Sequence, residues 1–437
     1  MKKIVLSTMA VLALGTSLSA LTLYTDPVTG QVFTAPGEGR VKIGNFVEEE
    51  TVAKQNSSIA KIAEETEKQS ETIAKIEKDS KSVPVFAKAD KLKFSGLTYI
   101  GYNYTNYDAT LSDGTPNTRA DISQFEIRRA YLQMKAYLLD DPKSYYRVTL
   151  DVHQDSKANG DTTDGDMLLR IKYAYVYLNN ILPFTGVEVG IAHRPWHDYE
   201  EHTSWYYRDI SKVLVEQKNG ADLSNSADFG FNFKTKTKYF DSEVGMFNGE
   251  GYHATQLGTG VSFEWRTTVH LMGVNGKDKQ TTKTYWDASF YGQYNMEHKD
   301  VIVGAITEKQ DLIFGGLHTV YNQPSFLVAA QYIYSDNTSK IANNVSGQAG
   351  SGYSFNGEYR FGAEKEFRII GRYDRWTPEE NNAADEKDQD TYIAGIAWQQ
   401  NENIQWVANV DVTDNENGSA REDHNGIAYM LTTQVEF

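Results

Sequence analysis

From residue 91 to the last residue the apolar side chains recur at every second position, in segments of nine or ten residues. No other feature constrains the fold as tightly. In "SYYRVTLDVH", Tyr146, Val148, Leu150 and Val152 share one face, and Tyr145, Arg147, Thr149 and Asp151 share the other. "GYSFNGEYRF" and the closing "GIAYMLTTQVEF" alternate in the same way. Period two is the signature of a strand with two unlike faces. A sandwich strand rarely needs nine or ten residues of clean alternation, whereas a strand tilted across a bilayer needs about that many.

The connections point the same way. About eighteen such segments can be drawn, joined by linkers that alternate between long and short. The long ones are polar: 105–123, 154–166, 193–225, 248–256, 275–283, 335–351, 376–388 and 413–425. Long loops on one rim and short turns on the other mark an outer-membrane barrel. All nine prolines fall outside the segments drawn, as ladder hydrogen bonding requires. One short link, at 307–310, breaks the rhythm; if 284–307 belongs to a single long loop, sixteen strands remain. The expected fold is all-β, a transmembrane antiparallel up-and-down barrel of 16–18 strands over 91–437, with an amino-terminal helical coiled coil. The aromatic Phe437, in mid-strand, is expected to close the barrel against its first strand and to serve as its carboxy-terminal assembly signal.

Composition agrees. Mean hydropathy is -0.54, and beyond the first 20 residues no apolar run is long enough for a membrane helix. A barrel escapes that test, and 28 Tyr, 19 Phe and 7 Trp supply its interfacial girdles. A net charge of -16 argues against nucleic acid as a partner. With no cysteine, disulfides and thiolate chemistry are excluded, and no cofactor or metal is expected.

Residues 1–20, "MKKIVLSTMAVLALGTSLSA", read as a secretory signal peptide cleaved near Ser19 or Ala20. Residues 21–49 contain turn signals at Asp26, Pro27 and Gly30, so a small hairpin is expected there. Residues 50–83 repeat Ile-Ala-Lys-Ile at a spacing of fourteen, which is two heptads. The seam runs through Ile59, Ile62, Ile73 and Ile76, and isoleucine at both a and d favours three or four strands. A periplasmic coiled coil is expected, with a solitary amphipathic helix as the alternative.

A barrel of sixteen or more strands encloses water, which makes a channel the default function. The third long loop carries Trp196, Tyr199, Trp205, Tyr206 and Tyr207, too many aromatic residues for a chain in solvent. It is expected to fold into the lumen and to set the constriction with Arg194, Asp198, Glu200, Glu201, Tyr206 and Arg208. Arg129, Arg147, Arg368, Arg372 and Asp374 are expected to line the lumen, or to pair there with carboxylates.

"FEIRRAYLQMKAYL", "VEVGIAHRP" with "EEHTSWYYRDISKVLVE", "VGMFNGEGY", "FRIIGRYDRW" and "MLTTQVEF" together resemble the phosphate-selective porin O and P family, over roughly 92–437. The resemblance implies a homotrimeric outer-membrane channel of sixteen strands with an inward third loop. Phosphate-selective members carry anion-binding lysines beside the pair matching Thr203 and Ser204, where this chain has Glu201 and Tyr206. Arg128 and Arg129 do match. The expected function is therefore passive diffusion of ions and small hydrophilic solutes, with a cation leaning. Phosphate or anion selectivity is the alternative, and a plugged structural or adhesive barrel is the rival from another class. An enzyme is not expected: His193, His197 and His202 with Asp198, Glu200 and Glu201 make the densest His and carboxylate cluster, but their spacing fits no metal motif.

Overall fold

The computed structural model describes residues 21–46, 61, 64, 67–68, 91–138, 141, 143–154, 167–252, 260–273, 280–303, 306–337, 348–380 and 385–437. Residues 1–20, expected to be a signal peptide, and the seam residues Ile59, Ile62, Ile73 and Ile76 lie outside them. Within the heptad segment Lys61, Glu64, Glu67 and Lys68 are helical and exposed, with Lys68 2.6 Å from Glu64.

The amino-terminal unit holds β1 (Leu21–Thr25), β2 (Val32–Phe33) and β3 (Val41–Phe46), hydrogen-bonded in the order β2-β1-β3. The expected hairpin is present, and a third strand is added to it. Asp26 Oδ1 accepts from the Val28 amide at 2.8 Å, which closes the turn between β1 and β2.

The second unit is a closed barrel of sixteen antiparallel strands. These are β4 (Leu92–Tyr107), β5 (Ile122–Tyr137), β6 (Tyr145–Gln154), β7 (Met167–Leu182), β8 (Thr185–His193), β9 (Ala227–Lys236), β10 (Phe240–Phe247) and β11 (Ser262–His270). They continue as β12 (Tyr285–Val303), β13 (Ile306–Gln323), β14 (Phe326–Asn337), β15 (Gly350–Phe361), β16 (Phe367–Pro378), β17 (Gln389–Gln399), β18 (Ile404–Asn415) and β19 (Gly426–Glu436).

The count of eighteen is corrected by one hairpin. β12 and β13 stay paired from Tyr285↔Asn322 out to Val303↔Ile306, with an irregularity between Asn295 and Lys299. The polar stretches "MEHK" and "TEKQ", read as turns, lie within this long hairpin on the long-loop rim. The connection 271–284, expected among the long loops, falls on the short-turn rim. Pro378, expected outside the strands, closes β16 opposite Gly350.

Closure follows the reading of the last strand. β19 pairs with β4 from Gly426↔Tyr107 to Glu436↔Leu97, so the sheet has no free edge. Gly96 and Phe437 then exchange backbone bonds of 3.0 and 3.1 Å. The Phe437 ring crosses Gly96 so closely that a Cβ there would stand 2.4 Å from it. Only glycine fits.

Burial is inverted relative to a water-soluble sheet. Phe229, Phe290, Leu317, Tyr332, Phe355, Ile369 and Ile396 are exposed, while Asp151, Glu264, Arg266, Asp287, Arg360 and Asp374 are buried. The apolar face points outward and the polar face inward, as a lipid-facing wall around a polar interior requires. Aromatic side chains gather toward each rim: Phe361, Phe367 and Trp398 stack in sequence near the short turns, and Tyr353, Tyr373 and Tyr392 near the long loops.

Candidate functional site

The third long loop, 194–226, packs inside the barrel. Its one helix, α1 (His197–Thr203), is too short to stand alone and is held by side chains on both sides. Arg194 is buried and clamps Glu264 of β11 through two bonds, at 2.9 and 2.5 Å, and Gln293 of β12 at 2.5 Å. Trp196 stacks on Tyr291 at 3.6 Å and 5°. Glu200 accepts from Trp196 Nε1 at 2.6 Å and from Gln331 of β14 at 3.0 Å. Tyr206 meets Tyr285 at 3.1 Å, and Tyr207 bonds Glu358 of β15. Thr432 of β19 donates to Asp209 at 2.5 Å, and Arg372 of β16 donates to the Lys212 carbonyl at 2.8 Å.

Beneath these bonds lies an apolar core. Trp205, Val213, Leu214, Val215 and Leu223 of the loop cluster with Leu312, Phe314, Ile333, Ile370, Trp376, Ile393 and Val407 of the wall. Burying a side chain of this size is worth roughly 1.5–3 kcal/mol. The loop is therefore fixed mainly to the β11–β19 wall; from the β4–β8 wall Arg128 donates to the Ile210 carbonyl at 3.3 Å.

That second face is cationic and rich in tyrosine, for a reason visible in the strand register. Between β4 and β5, Tyr99 pairs with Arg129 and Ile100 with Ile127, which leaves Arg128 as an extra residue. Between β6 and β7, Thr149 pairs with Tyr173 and Leu150 with Ile171, which leaves Lys172. A bulge turns two successive residues toward one face. Arg128 and Arg129 thus both point inward, as do Lys172 and Tyr173, while Ile127 and Ile171 stay outside. Lys172 lies over the Tyr131 ring at 4.4 Å and bonds its hydroxyl at 3.2 Å. Arg147 lies over Tyr173 at 4.6 Å and bonds Thr149, Tyr175 and His193. Among the described residues no carboxylate lies within ion-pair distance of either cation.

Other interior cations are paired. Asp151 takes Arg170 at 2.8 Å and Arg129 at 3.5 Å. Glu216 takes Arg208 at 2.8 Å and Lys212 at 3.0 Å, and Glu201 also meets Arg208. Arg372 holds Asp374 at 2.5 Å, and Arg368 reaches Gln399 at 3.3 Å. Between loop and wall remains a cavity of about 570 Å³, lined by Arg128, Arg129, Arg208, Lys212 and Lys218 against Glu126 and Asp411.

The expected site residues divide accordingly. Arg194 and Glu200 are buried anchors under the loop, Tyr206 is a partly buried one, and Arg372 and Asp374 lie beneath it. Arg208 borders the cavity, and Glu201 is tied to it. Asp198 keeps a half-open carboxylate, 3.8 Å from His193 and 3.5 Å from His202. Arg129 borders the cavity, and Arg147 lies partly buried against Tyr173 and Tyr175. The His and carboxylate cluster does not converge: His193 bonds Glu188, His197 is buried apart, and His202 is exposed. No metal-sized group of ligands forms among the described residues.

No known sequence family and no curated protein matches the chain. Among solved structures, OprB of Pseudomonas putida aligns with 80% of this chain and 96% of its own, at TM-score 0.55 and 12% identity. OmpF of Salmonella typhi, in complex with daunomycin, aligns with 79% and 97%, at 0.53 and 11%. The trimer form of OmpT, an outer membrane protein of Vibrio cholerae, aligns with 79% and 99%, at 0.50 and 13%. At such identities the likeness is one of architecture, and the barrel has the closed sixteen-stranded fold of bacterial outer-membrane porins.

Proposed function

We propose that this chain is an outer-membrane porin, a passive channel for ions and small hydrophilic solutes. Its narrowest passage would run between the inward loop and the β4–β8 wall, and it would work as a homotrimer with the amino-terminal segment in the periplasm. One observation carries the reading: the loop commits its apolar side to the wall and leaves a charged cavity between itself and strands β4, β5, β18 and β19. Side chains fill a narrow barrel, but sixteen strands leave room for water.

The lining bears on selectivity. Glu126, Asp151, Glu201 and Glu216 already engage Arg128, Arg129, Arg208 and Lys212, so the excess rests on Lys218 at the cavity with Arg147 and Lys172 beyond it, and it favours anions modestly, in place of the cation leaning drawn from overall acidity. Phosphate capture needs several convergent donors free of competing carboxylates. Glu216 already engages Arg208 and Lys212, and Glu126 already engages Arg128 at 2.7 Å, so a broad anion preference fits better than the phosphate specificity of the resembled family.

Planar-bilayer recording tests the channel. The purified protein should give stepwise ohmic currents, and replacing 197–223 with a short Gly-Ser linker should raise the unit conductance several-fold. No current from either protein would leave the plugged structural barrel as the better reading.

A further inference from the structure

The sheet of residues 21–46 has one face that nothing described covers. Cross-strand pairing places Leu21, Leu23, Thr25, Val32 and Val41 on one side, and Thr22, Tyr24, Phe33 and Lys42 on the other. The polar side looks after itself: Thr22 bonds Asn45 at 2.9 Å, and the Arg40 guanidinium lies 3.4 Å over the Phe33 ring. On the apolar side Leu21, Val32 and Val41 are 53%, 56% and 57% exposed. Ile43, the extra residue where Leu23 pairs with Gly44 and Tyr24 with Lys42, is exposed as well. A three-stranded sheet of this size cannot build a core alone, so the apolar face needs a second layer.

Two occupants are at hand, the chain's own heptad segment at 50–83 and the same face in other copies. Length decides between them. A five-residue strand such as β1 spans about 17 Å. The 34 residues of the heptad segment, if helical, span about 51 Å. One sheet would leave most of the isoleucine seam bare. Isoleucine at both a and d favours three or four helices, which cover the whole seam. Only five residues lie between Phe46 and Val52, where the heptad seam begins, and the six steps reach at most about 20 Å. Copies joined through the seam must hold their sheets close to the shared axis.

We infer that the Leu21–Val32–Val41 face is an interface with the same face of other copies of this chain, gathered around a three-fold axis. The three-fold count rests on the homotrimer proposed above; the interface itself concerns the amino-terminal unit alone and stands whether or not the barrel conducts.

The absence of native cysteine makes single-cysteine variants of the full chain clean reporters. Val41→Cys and Lys42→Cys are neighbours on opposite faces. A short bismaleimide added to each purified protein, followed by a denaturing gel, should give covalent dimers for Val41→Cys, at least five-fold more than for Lys42→Cys. A three-fold axis leaves one chain unlinked, so dimers should hold about two-thirds of the chains. Leu21→Cys, at the other end of the face, is a second reporter and should behave like Val41→Cys. Monomers from both apolar-face variants, or equal linking by Lys42→Cys, would overturn the interface. An internal link in Val41→Cys/Ile62→Cys, without dimers, would overturn it in favour of the chain's own helix.

Discussion

Glu200 sits where a charge is costly. Burial pushes its carboxyl up to about 7, although Trp196 and Gln331 donate to it. Burial also pushes Asp209 up to about 6. A carboxyl raised above its unfolded value, about 4.3 for Glu, favours the folded loop while protonated. That contribution is full below the unfolded pKa and is lost as pH rises through the folded one. Amide exchange across 197–205 should therefore be slower at about pH 5 than at about pH 8, beyond the intrinsic rate change, and Glu200→Gln should remove most of the difference. Gly316 makes a second test. Tyr291 lies 2.2 Å from where its Cβ would stand, with Trp196 stacked on the ring. Gly316→Val should press that ring into the loop, cost roughly 1–3 kcal/mol by overpacking, and lower the thermal midpoint. An unchanged midpoint would mean that the stack does not hold the loop. The sequence foretold a packed loop through its aromatic residues, but not the side each charge would take. Parity assigns faces only in strands, so Arg194 and Glu200 passed for pore groups although they are anchors.

Parity also fails locally within strands, wherever a bulge inserts a residue. Alternation through "FEIRRAYLQ" puts either Arg128 or Arg129 inside, never both, and it gave Lys172 no role. Adjacent cations in mid-strand were the one available signal. Because Arg147 and Lys172 have no carboxylate within ion-pair distance among the described residues, their effect on permeating ions should be large for their number. The pair Arg147→Glu/Lys172→Glu should move the chloride-to-potassium permeability ratio toward cations by several-fold, read as a reversal potential. The conservative Arg147→Lys should leave it nearly unchanged. A ratio unmoved by the double substitution would place the ion path elsewhere. The miscounted strands have a different cause. The outer half of the β12–β13 hairpin reads as polar turns because it carries no apolar alternation, the mark of pairing that continues beyond a lipid-facing band. Most other strands were legible because one face must meet lipid along its whole length.

For the whole molecule, the inverted burial pattern and the β19–β4 seam are the consequences of one constraint: in lipid, every backbone group must find a partner within the protein. That constraint made the architecture readable at the level of period and linker length. Strand alternation put Arg129 and Arg147 on the inner face, where the register also puts them; their part in a passage is proposed. The loop's placement was not, because it depends on contacts between residues far apart in sequence, such as Arg194 with Glu264 and Asp209 with Thr432. The proposed passage is water-filled and bordered by cations, running between the loop and the β4–β8 wall. The most direct test is the zero-current potential of the native protein in a planar bilayer across a tenfold potassium chloride gradient, about 58 mV for ideal selectivity. The account predicts open channels whose potential has the sign of chloride preference, well short of the ideal value. A potassium-selective sign, or a membrane that stays silent, would contradict it.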